Sequence, residues 1–118
     1  MATILVADDH LHMRLLIQQV LELAEHNVLL AEDGQKALAL LTEHPEVQVL
    51  ILDINMPVLD GFSLLEQLRV RGSSLPIVLV TARGIDEDEE QAQALGATLL
   101  TKPFSSHSLT DLIQRLLI

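Results

Sequence analysis

The segment VLILDINMPVLDG, Val49–Gly61, carries a run of aliphatic residues directly into an aspartate, Asp53. The aliphatic run is typical of a parallel strand that is buried on both faces. Pro57 and the pair Asp60-Gly61 then predict a turn. Burying an unpaired carboxylate costs several kcal/mol or shifts its pKa. Asp53 is therefore either a turn or capping residue, or a charge that a partner compensates at the end of the strand.

The composition predicts one packed domain over residues 1–118, because 49% of the residues are hydrophobic and 20% are charged. The net charge of −10, with 7 basic residues against 17 acidic ones, argues against nucleic-acid binding, which needs clustered Lys and Arg. Two Phe, with no Tyr or Trp, make a flavin-stacking site hard to build. The absence of a long apolar run, a basic signal sequence and cysteine predicts a cytoplasmic protein without a membrane partner.

Apolar runs typical of strands alternate with helical patterns along the chain. The five predicted strands are Thr3–Ala7, Val28–Ala31, Val47–Leu52, Pro76–Thr81 and Ala97–Thr101. Apolar residues at helical spacing predict five helices, the last of them capped by Ser105 or Ser106. This alternation predicts βαβ crossovers and a parallel sheet that is covered on both faces. Strands 1, 3 and 4 are the most continuously apolar and are predicted to be central, with strand 2 at an edge.

Polar residues end or follow four of the predicted strands: Asp8 and Asp9, Asp53, Thr81 and Lys102. Parallel strands end at one rim of the sheet, where ligands of such folds bind. Each residue alone has a structural interpretation: a helix cap for Asp8 or Asp9, a turn for Asp53, an ordinary strand residue for Thr81, and a solvent-directed chain for Lys102. Five polar groups at one rim favour a binding site.

The charges at this rim call for a cation. Two carboxylates about 4 Å apart repel by roughly 4 kcal/mol at an effective dielectric constant near 20, and Lys102 supplies only one positive charge. Mg²⁺ fits, since it binds carboxylates, water and substrate phosphates. Carboxylates, Mg²⁺, a lysine and a hydroxyl are the components of phosphoryl transfer, in which an Asp carboxylate can be the nucleophile. We therefore expect Asp53 to be ionised, metal-bound and accessible.

The sequence resembles the receiver domain of two-component response regulators over nearly its whole length. The matching segments are VADDH (6–10), AEDGQKAL (31–38), LDINMPVLDG (52–61), PIVLVTA (76–82), ALGA (94–97) and TKPF (101–104). The resemblance implies an α/β, flavodoxin-like, doubly wound fold with five helices and five parallel strands in the order 2-1-3-4-5. It implies a phosphorylation-dependent signalling switch, which is not an enzyme beyond catalysing its own phosphorylation and dephosphorylation.

The resemblance also implies the acceptor and the metal ligands. Asp53 would accept a phosphoryl group from a sensor histidine kinase or a histidine phosphotransfer protein. Asp9, Asp53 and the backbone carbonyl of Asn55 would bind Mg²⁺ directly, and Asp8 would act through water.

Three further residues would hold the phosphoryl group. Lys102 would pair with a phosphoryl oxygen, and the resemblance implies a cis peptide bond between Lys102 and Pro103. Thr81 would donate a hydrogen bond from its hydroxyl, and Ala82 from its backbone N–H.

The resemblance places the output of the switch on the face formed by the fourth helix, the fifth strand and the fifth helix, where a partner or a second protomer docks. The family usually has Tyr or Phe three residues before the lysine, and this chain has Leu99. The usual coupling between Thr81 and an aromatic ring therefore cannot operate in its standard form. Asn55 and Arg83 occupy positions that in this family tune hydrolysis of the acyl phosphate.

Two other functions are alternatives. The first is an interaction module of the receiver fold with little phosphotransfer, although such modules usually lack an acid or the lysine, and this chain has them all. The second is a Mg²⁺-dependent phosphatase of the haloacid dehalogenase type, which needs Asp-x-Asp where this chain has Asn55 after Asp53.

Two charged or metal-binding patterns have simpler interpretations. The run IDEDEE, residues 85–90, is interpreted as the solvated start of the fourth helix, where the helix dipole favours acids. His10 and His12 would diverge on a helix, so they do not predict a shared transition-metal site.

Overall fold

The computed structural model of the chain describes residues 2–82 and 85–117. Strands and helices alternate in the order β1 (Thr3–Ala7), α1 (Leu11–Leu23), β2 (Asn27–Ala31), α2 (Gly34–Glu43), β3 (Val47–Asp53), α3 (Gly61–Val70), β4 (Ile77–Thr81), α4 (Asp86–Ala94), β5 (Thr98–Thr101) and α5 (Ser106–Leu116). The predicted strand bounds agree with these to within one residue.

The strands form one parallel sheet in the order β2-β1-β3-β4-β5. This confirms the predicted flavodoxin-like fold, including the edge position of β2 and the central positions of β1, β3 and β4. The register decides which strand ends meet. Ala7 pairs with Leu52, and Asp53 pairs with Val80. The residues that follow β1 therefore lie beside the end of β3.

The core has two parts because successive strand residues point to opposite faces of a sheet. One part lies between the sheet and α2, α3 and α4, and it includes Leu5, Leu50, Leu52, Leu79 and Leu64. The other lies between the sheet and α1 and α5, and it includes Ile4, Val6, Ile51, Ile17 and Leu109. Among the described residues, no helix combines the length and the apolar character needed to cross a membrane.

Side chains cap several of the helices. Asp33 caps α2 and Asp60 caps α3, each accepting a hydrogen bond from a backbone N–H three residues on. Ser105 caps α5 in the same way, which decides between the two serines expected there. The N-cap of α1 is His10, whose side chain makes no capping hydrogen bond. The interpretation of Asp8 or Asp9 as the cap of this helix is therefore wrong.

Arg69 joins the C-terminal part of α3 to the turn between α4 and β5. Its guanidinium donates to the backbone carbonyls of Leu95 at 2.7 Å and Gly96 at 3.2 Å. It also donates to the carbonyls of Ser73 and Leu75, each at 3.0 Å. One side chain thus satisfies four carbonyl groups from two loops.

Candidate functional site

Three aspartates lie at the carboxyl rim of the sheet. Asp8 and Asp53 are buried, with 2% and 4% of their surface exposed. The side chain of Asp9 is 32% exposed and lies on the solvent side. Two hydrogen bonds hold Asp8 in place. Its Oδ1 accepts from the backbone N–H of His10 at 2.8 Å, and its backbone carbonyl accepts from the guanidinium of Arg14 at 2.7 Å. The rim therefore offers two buried carboxylates and one more accessible carboxylate.

Lys102 reaches the same rim from the end of β5. Its backbone N–H donates to the carbonyl of Thr81 at 2.7 Å. Its Nζ lies 3.9 Å from Asp8 Oδ2 and 3.9 Å from Asp53 Oδ1. The peptide bond from Lys102 to Pro103 is cis, as expected. The ammonium group therefore sits between the two buried carboxylates without a close ion pair to either.

The end of β4 completes the rim. The backbone N–H of Ile54 donates to the carbonyl of Val80 at 3.0 Å. Thr81, the last residue of β4, therefore lies beside the end of β3. Thr81 is buried, and Ala82 is exposed. Ala82 and Lys102 line a cavity of about 390 Å³ together with Met13, Leu16, Pro103 and Phe104. Arg83, named above as a tuning residue, lies outside the described residues.

Gly61 lets α3 begin directly against the end of β3. A Cβ at this position would lie 2.6 Å from the carbonyl oxygen of Asp53 and 3.0 Å from the Cα of Ile54. Real Cβ atoms do not approach backbone atoms so closely, so any larger residue must displace one of the two segments. The glycine therefore helps to set the position of Asp53.

Burial raises the pKa of the Asp53 carboxyl from 3.8 to about 6, and the charge of Asp8 adds to this effect. Lys102 and the backbone N–H of Asn55 oppose the shift, and Asp9 contributes a smaller increase. The single ammonium group therefore does not compensate the carboxylates, and Asp53 gains from a further cation.

His10 lies against the same acids, which sequence reasoning did not anticipate. Its Nδ1 is 3.1 Å from Asp9 Oδ1, 3.3 Å from Asp8 Oδ1 and 4.0 Å from Asp53 Oδ2. The sequence-based argument treated it only as a partner of His12, which is exposed on α1. The available signal was its position, since the residue after the acidic pair precedes the helix and remains at the rim.

The donor atoms at the rim fit a divalent cation. One ligand atom from each of Asp8, Asp9, His10 and Asp53 lies within 4.8 Å of the others. Carboxylates are ligands for hard cations such as Mg²⁺, and the raised pKa of Asp53 marks a site that is short of positive charge. The cluster is therefore able to hold a metal ion.

The chain is similar to known proteins over nearly its whole length. The sequence profile of the response regulator receiver domain matches residues 4–114. The chain belongs to the response regulator receiver domain family. A receiver domain is a regulatory domain of two-component systems, which use phosphorylation as their signal.

Individual relatives share the fold and much of the sequence. The transcriptional regulatory protein CpxR of Klebsiella pneumoniae is 37% identical over 118 residues, which cover 99% of this chain and 50% of that protein. The sensor protein EvgS of Escherichia coli is 40% identical over 104 residues, 87% of this chain and 9% of that protein. The structure of chemotaxis protein CheY4 of Vibrio cholerae superimposes with a TM-score of 0.91 at 34% identity, covering 98% of each chain. This receiver domain thus spans about half the length of CpxR.

Leu99 lies three residues before Lys102. It is half-buried on β5, opposite Leu79, and packs against the core beneath α2, α3 and α4. The leucine supplies neither an aromatic ring nor a hydroxyl at this position. Any link between the rim and the outer face of α4 must therefore use other contacts.

Proposed function

We propose that Asp53 is the phosphoacceptor of this receiver domain and that a sensor histidine kinase or a histidine phosphotransfer protein is the donor. The observation that carries the proposal is the joint position of Asp53, two further acids and Lys102 at one rim of the sheet. The family membership of the chain supports the phosphohistidine donor. The proposed receiver domain spans residues 1–118.

The reaction is a transfer of one phosphoryl group. An ionised Oδ of Asp53 attacks phosphorus, the O–P bond forms, and the P–N bond to the donor imidazole breaks. The imidazole keeps the electron pair of that bond and takes up a proton, and Asp53 becomes an acyl phosphate. Attack by water on the acyl phosphate later releases inorganic phosphate and restores the carboxylate.

The ligands proposed for Mg²⁺ are Asp9, Asp53 and the backbone carbonyl of Asn55, with Asp8 acting through water. A bound Mg²⁺ supplies positive charge that neutralises the phosphoryl oxygens and lowers the repulsion among the carboxylates. The pKa of about 6 for the metal-free Asp53 carboxyl supports this need.

Three groups are proposed to hold the phosphoryl oxygens. Lys102 donates from its ammonium group, which already lies 3.9 Å from Asp53 Oδ1. Thr81 donates from its hydroxyl, and Ala82 donates from its backbone N–H. Hydrogen bonds to a charged group are worth about 1.5–3 kcal/mol each. Together they approach the roughly 5.5 kcal/mol that a shift from 1:99 to 99:1 between two states requires.

The proposed output is a change in the face formed by α4, β5 and α5, with a partner or a second copy of the chain docking there. Support comes from the position of Lys102 directly after β5, the strand that contains Leu99, because a shift at the rim acts on the strand beneath this face. Asn55 and Arg83 are proposed to tune the lifetime of the acyl phosphate.

Incubation with acetyl phosphate, with and without Mg²⁺, tests the proposal by intact mass. We expect one added phosphoryl group that requires Mg²⁺, is removed by hydroxylamine and is absent from Asp53→Ala. Asp60→Ala is the matched control, since Asp60 is an aspartate in the same loop that caps α3.

Two results would contradict the proposal in different ways. Phosphate retained by Asp53→Ala would place the acceptor elsewhere. No uptake by the wild-type chain, together with an unchanged partner affinity or oligomeric mass after addition of beryllofluoride, would favour the interaction module instead.

A further inference from the structure

His10 contributes a nitrogen atom to a rim that otherwise offers carboxylate oxygens. Its side chain is 69% exposed. His10 is the N-cap residue of α1, yet its ring makes no capping hydrogen bond to the helix. The ring is instead directed at Asp8, Asp9 and Asp53.

The separations around this ring match those between ligands of one cation. Donor atoms about 2.1 Å from an octahedral cation are about 3.0 Å apart when adjacent and about 4.2 Å apart when opposite. Around a tetrahedral Zn²⁺ they are about 3.4 Å apart, so the separations below fit a first-row cation in octahedral coordination. The distance from His10 Nδ1 to Asp9, a proposed direct ligand, is 3.1 Å, close to the adjacent value. The contact with Asp8 at 3.3 Å is at hydrogen-bond distance, in keeping with an Asp8 that acts through water. The distance to Asp53 is 4.0 Å, close to the opposite value.

The chemistry of the donor set then determines which cation benefits. Mg²⁺ prefers oxygen ligands and gains little from an imidazole, whereas Zn²⁺ and its first-row neighbours bind imidazole nitrogen well. We infer that His10 is a nitrogen ligand of the cation at this rim and shifts the selectivity of the site from Mg²⁺ towards Zn²⁺ and similar transition-metal ions. The inference rests on the proposed function, because the same carboxylates hold the cation in both.

Calorimetric titrations of the whole chain with Zn²⁺ and with Mg²⁺ test this selectivity. Removing a residue that only hydrogen-bonds to a metal ligand already weakens metal binding by about tenfold or more. We therefore expect His10→Ala, which removes a ligand itself, to weaken Zn²⁺ binding by at least about tenfold. Mg²⁺ binding should change far less. His12→Ala is the matched control, an exposed histidine two residues further on, and should leave both affinities unchanged.

A second variant separates the nitrogen ligand from the shape of the site. His10→Glu offers an oxygen ligand in place of the imidazole nitrogen, and it should bind both cations while losing the preference for Zn²⁺. Equal weakening of Zn²⁺ and Mg²⁺ binding in His10→Ala would overturn the inference.

Nitrogen-15 NMR of histidine-labelled protein gives a direct readout of the bond. Addition of Zn²⁺ should shift one ring-nitrogen resonance that is missing from His10→Ala and present in His12→Ala. A shifted resonance that persists in His10→Ala would place the zinc elsewhere and overturn the inference.

The two proposals fail separately. Mg²⁺-dependent phosphorylation of Asp53 without a zinc-shifted His10 resonance would overturn the selectivity and leave the phosphoacceptor intact. A zinc-shifted His10 resonance without phosphoryl uptake under any divalent cation would support the ligand and contradict the phosphoacceptor.

Discussion

The helices α3 and α4 cover the same face of the sheet, yet they are attached to it differently. α3 has a side-chain cap from Asp60, and it buries Gly61, Leu64, Leu65 and Leu68. Among the described residues of α4, the buried ones are Asp88 and Ala92, and its N-cap Ile85 makes no side-chain hydrogen bond. The first turn of α4 instead carries four acids.

The strands below these helices also differ in how much of their surface is buried. β4 is buried along its whole length, and β3 along all but one residue. β5 is half-buried, with Thr101 exposed. Segments with little buried apolar contact open at lower free energy than the core does. The rim that holds Asp53 therefore rests on two strands that are buried almost throughout, and α4 with β5 should be displaced more easily than α3 with β3 and β4.

Apart from loss of Asp53, Lys102→Ala should have the largest effect on the rate of phosphoryl uptake. This variant removes a charged hydrogen bond to the phosphoryl group, worth about 1.5–3 kcal/mol, so uptake from acetyl phosphate should slow by about 10-fold to 100-fold. Time courses of intact mass measure the rate. Lys36→Ala removes the other lysine of the chain, which pairs with Glu32 on the surface, and should leave the rate unchanged.

Gly61→Ala tests how firmly the rim is fixed. A new Cβ 2.6 Å from the carbonyl oxygen of Asp53 should lower the free energy of unfolding by about 1–3 kcal/mol, as overpacking does. Urea denaturation measures the loss. In Gly72→Ala a Cβ would meet nothing within 4 Å, so that variant bears only the cost of its positive φ. A Gly61→Ala protein as stable as the wild type would show that the backbone at the end of β3 can shift at little cost in free energy.

Asp53→Asn tests the charge at the rim. Because the pKa of Asp53 is about 6 in the fold and 3.8 is its ordinary value, the folded state holds its proton more tightly. Stability from the protonated carboxyl is present below pH 4 and is lost as the pH rises towards 6. Without metal at pH 7, Asp53→Asn should therefore be more stable than the wild type by about 1–2 kcal/mol, allowing for solvent screening.

Denaturation midpoints across this pH range measure the effect of Asp53→Asn. The difference from the wild type should vanish near pH 4. Asp60→Asn removes a carboxylate from a capping position outside the cluster and should give no such gain. A wild-type protein that is the more stable of the two at pH 7 would contradict the assigned repulsion.

The smallest expected effect is that of Leu99→Tyr on phosphoryl uptake. Leu99 packs against the core beneath α2, α3 and α4, away from the acids, so the rate should stay within about twofold, the usual limit for independent sites. Time courses of intact mass provide the measurement. A loss as large as that of Lys102→Ala would show that Leu99 contributes to the phosphorylation site itself.

Most of the fold was predictable because apolar runs and helical spacing are local signals. The continuously apolar sequences of β1, β3 and β4 predicted that these strands are central, and the polar residues at the strand ends predicted the rim. Asp53 and Lys102 were found because each interrupts an apolar context, and the structure places them together.

The remainder depended on three-dimensional positions that the sequence does not encode locally. His10 was missed because helical geometry was assumed for it, whereas the helix begins one residue later. The choice between Ser105 and Ser106 as cap of α5 depended on the same kind of boundary. Helix ends are set by capping contacts and are the least certain part of any sequence-based assignment.

The four carbonyl groups held by Arg69 give α4 a fixed end. Two of them, those of Leu95 and Gly96, lie just beyond its last turn. Any tilt of α4 about this end would therefore displace its first turn, which carries four acids, further than its last turn.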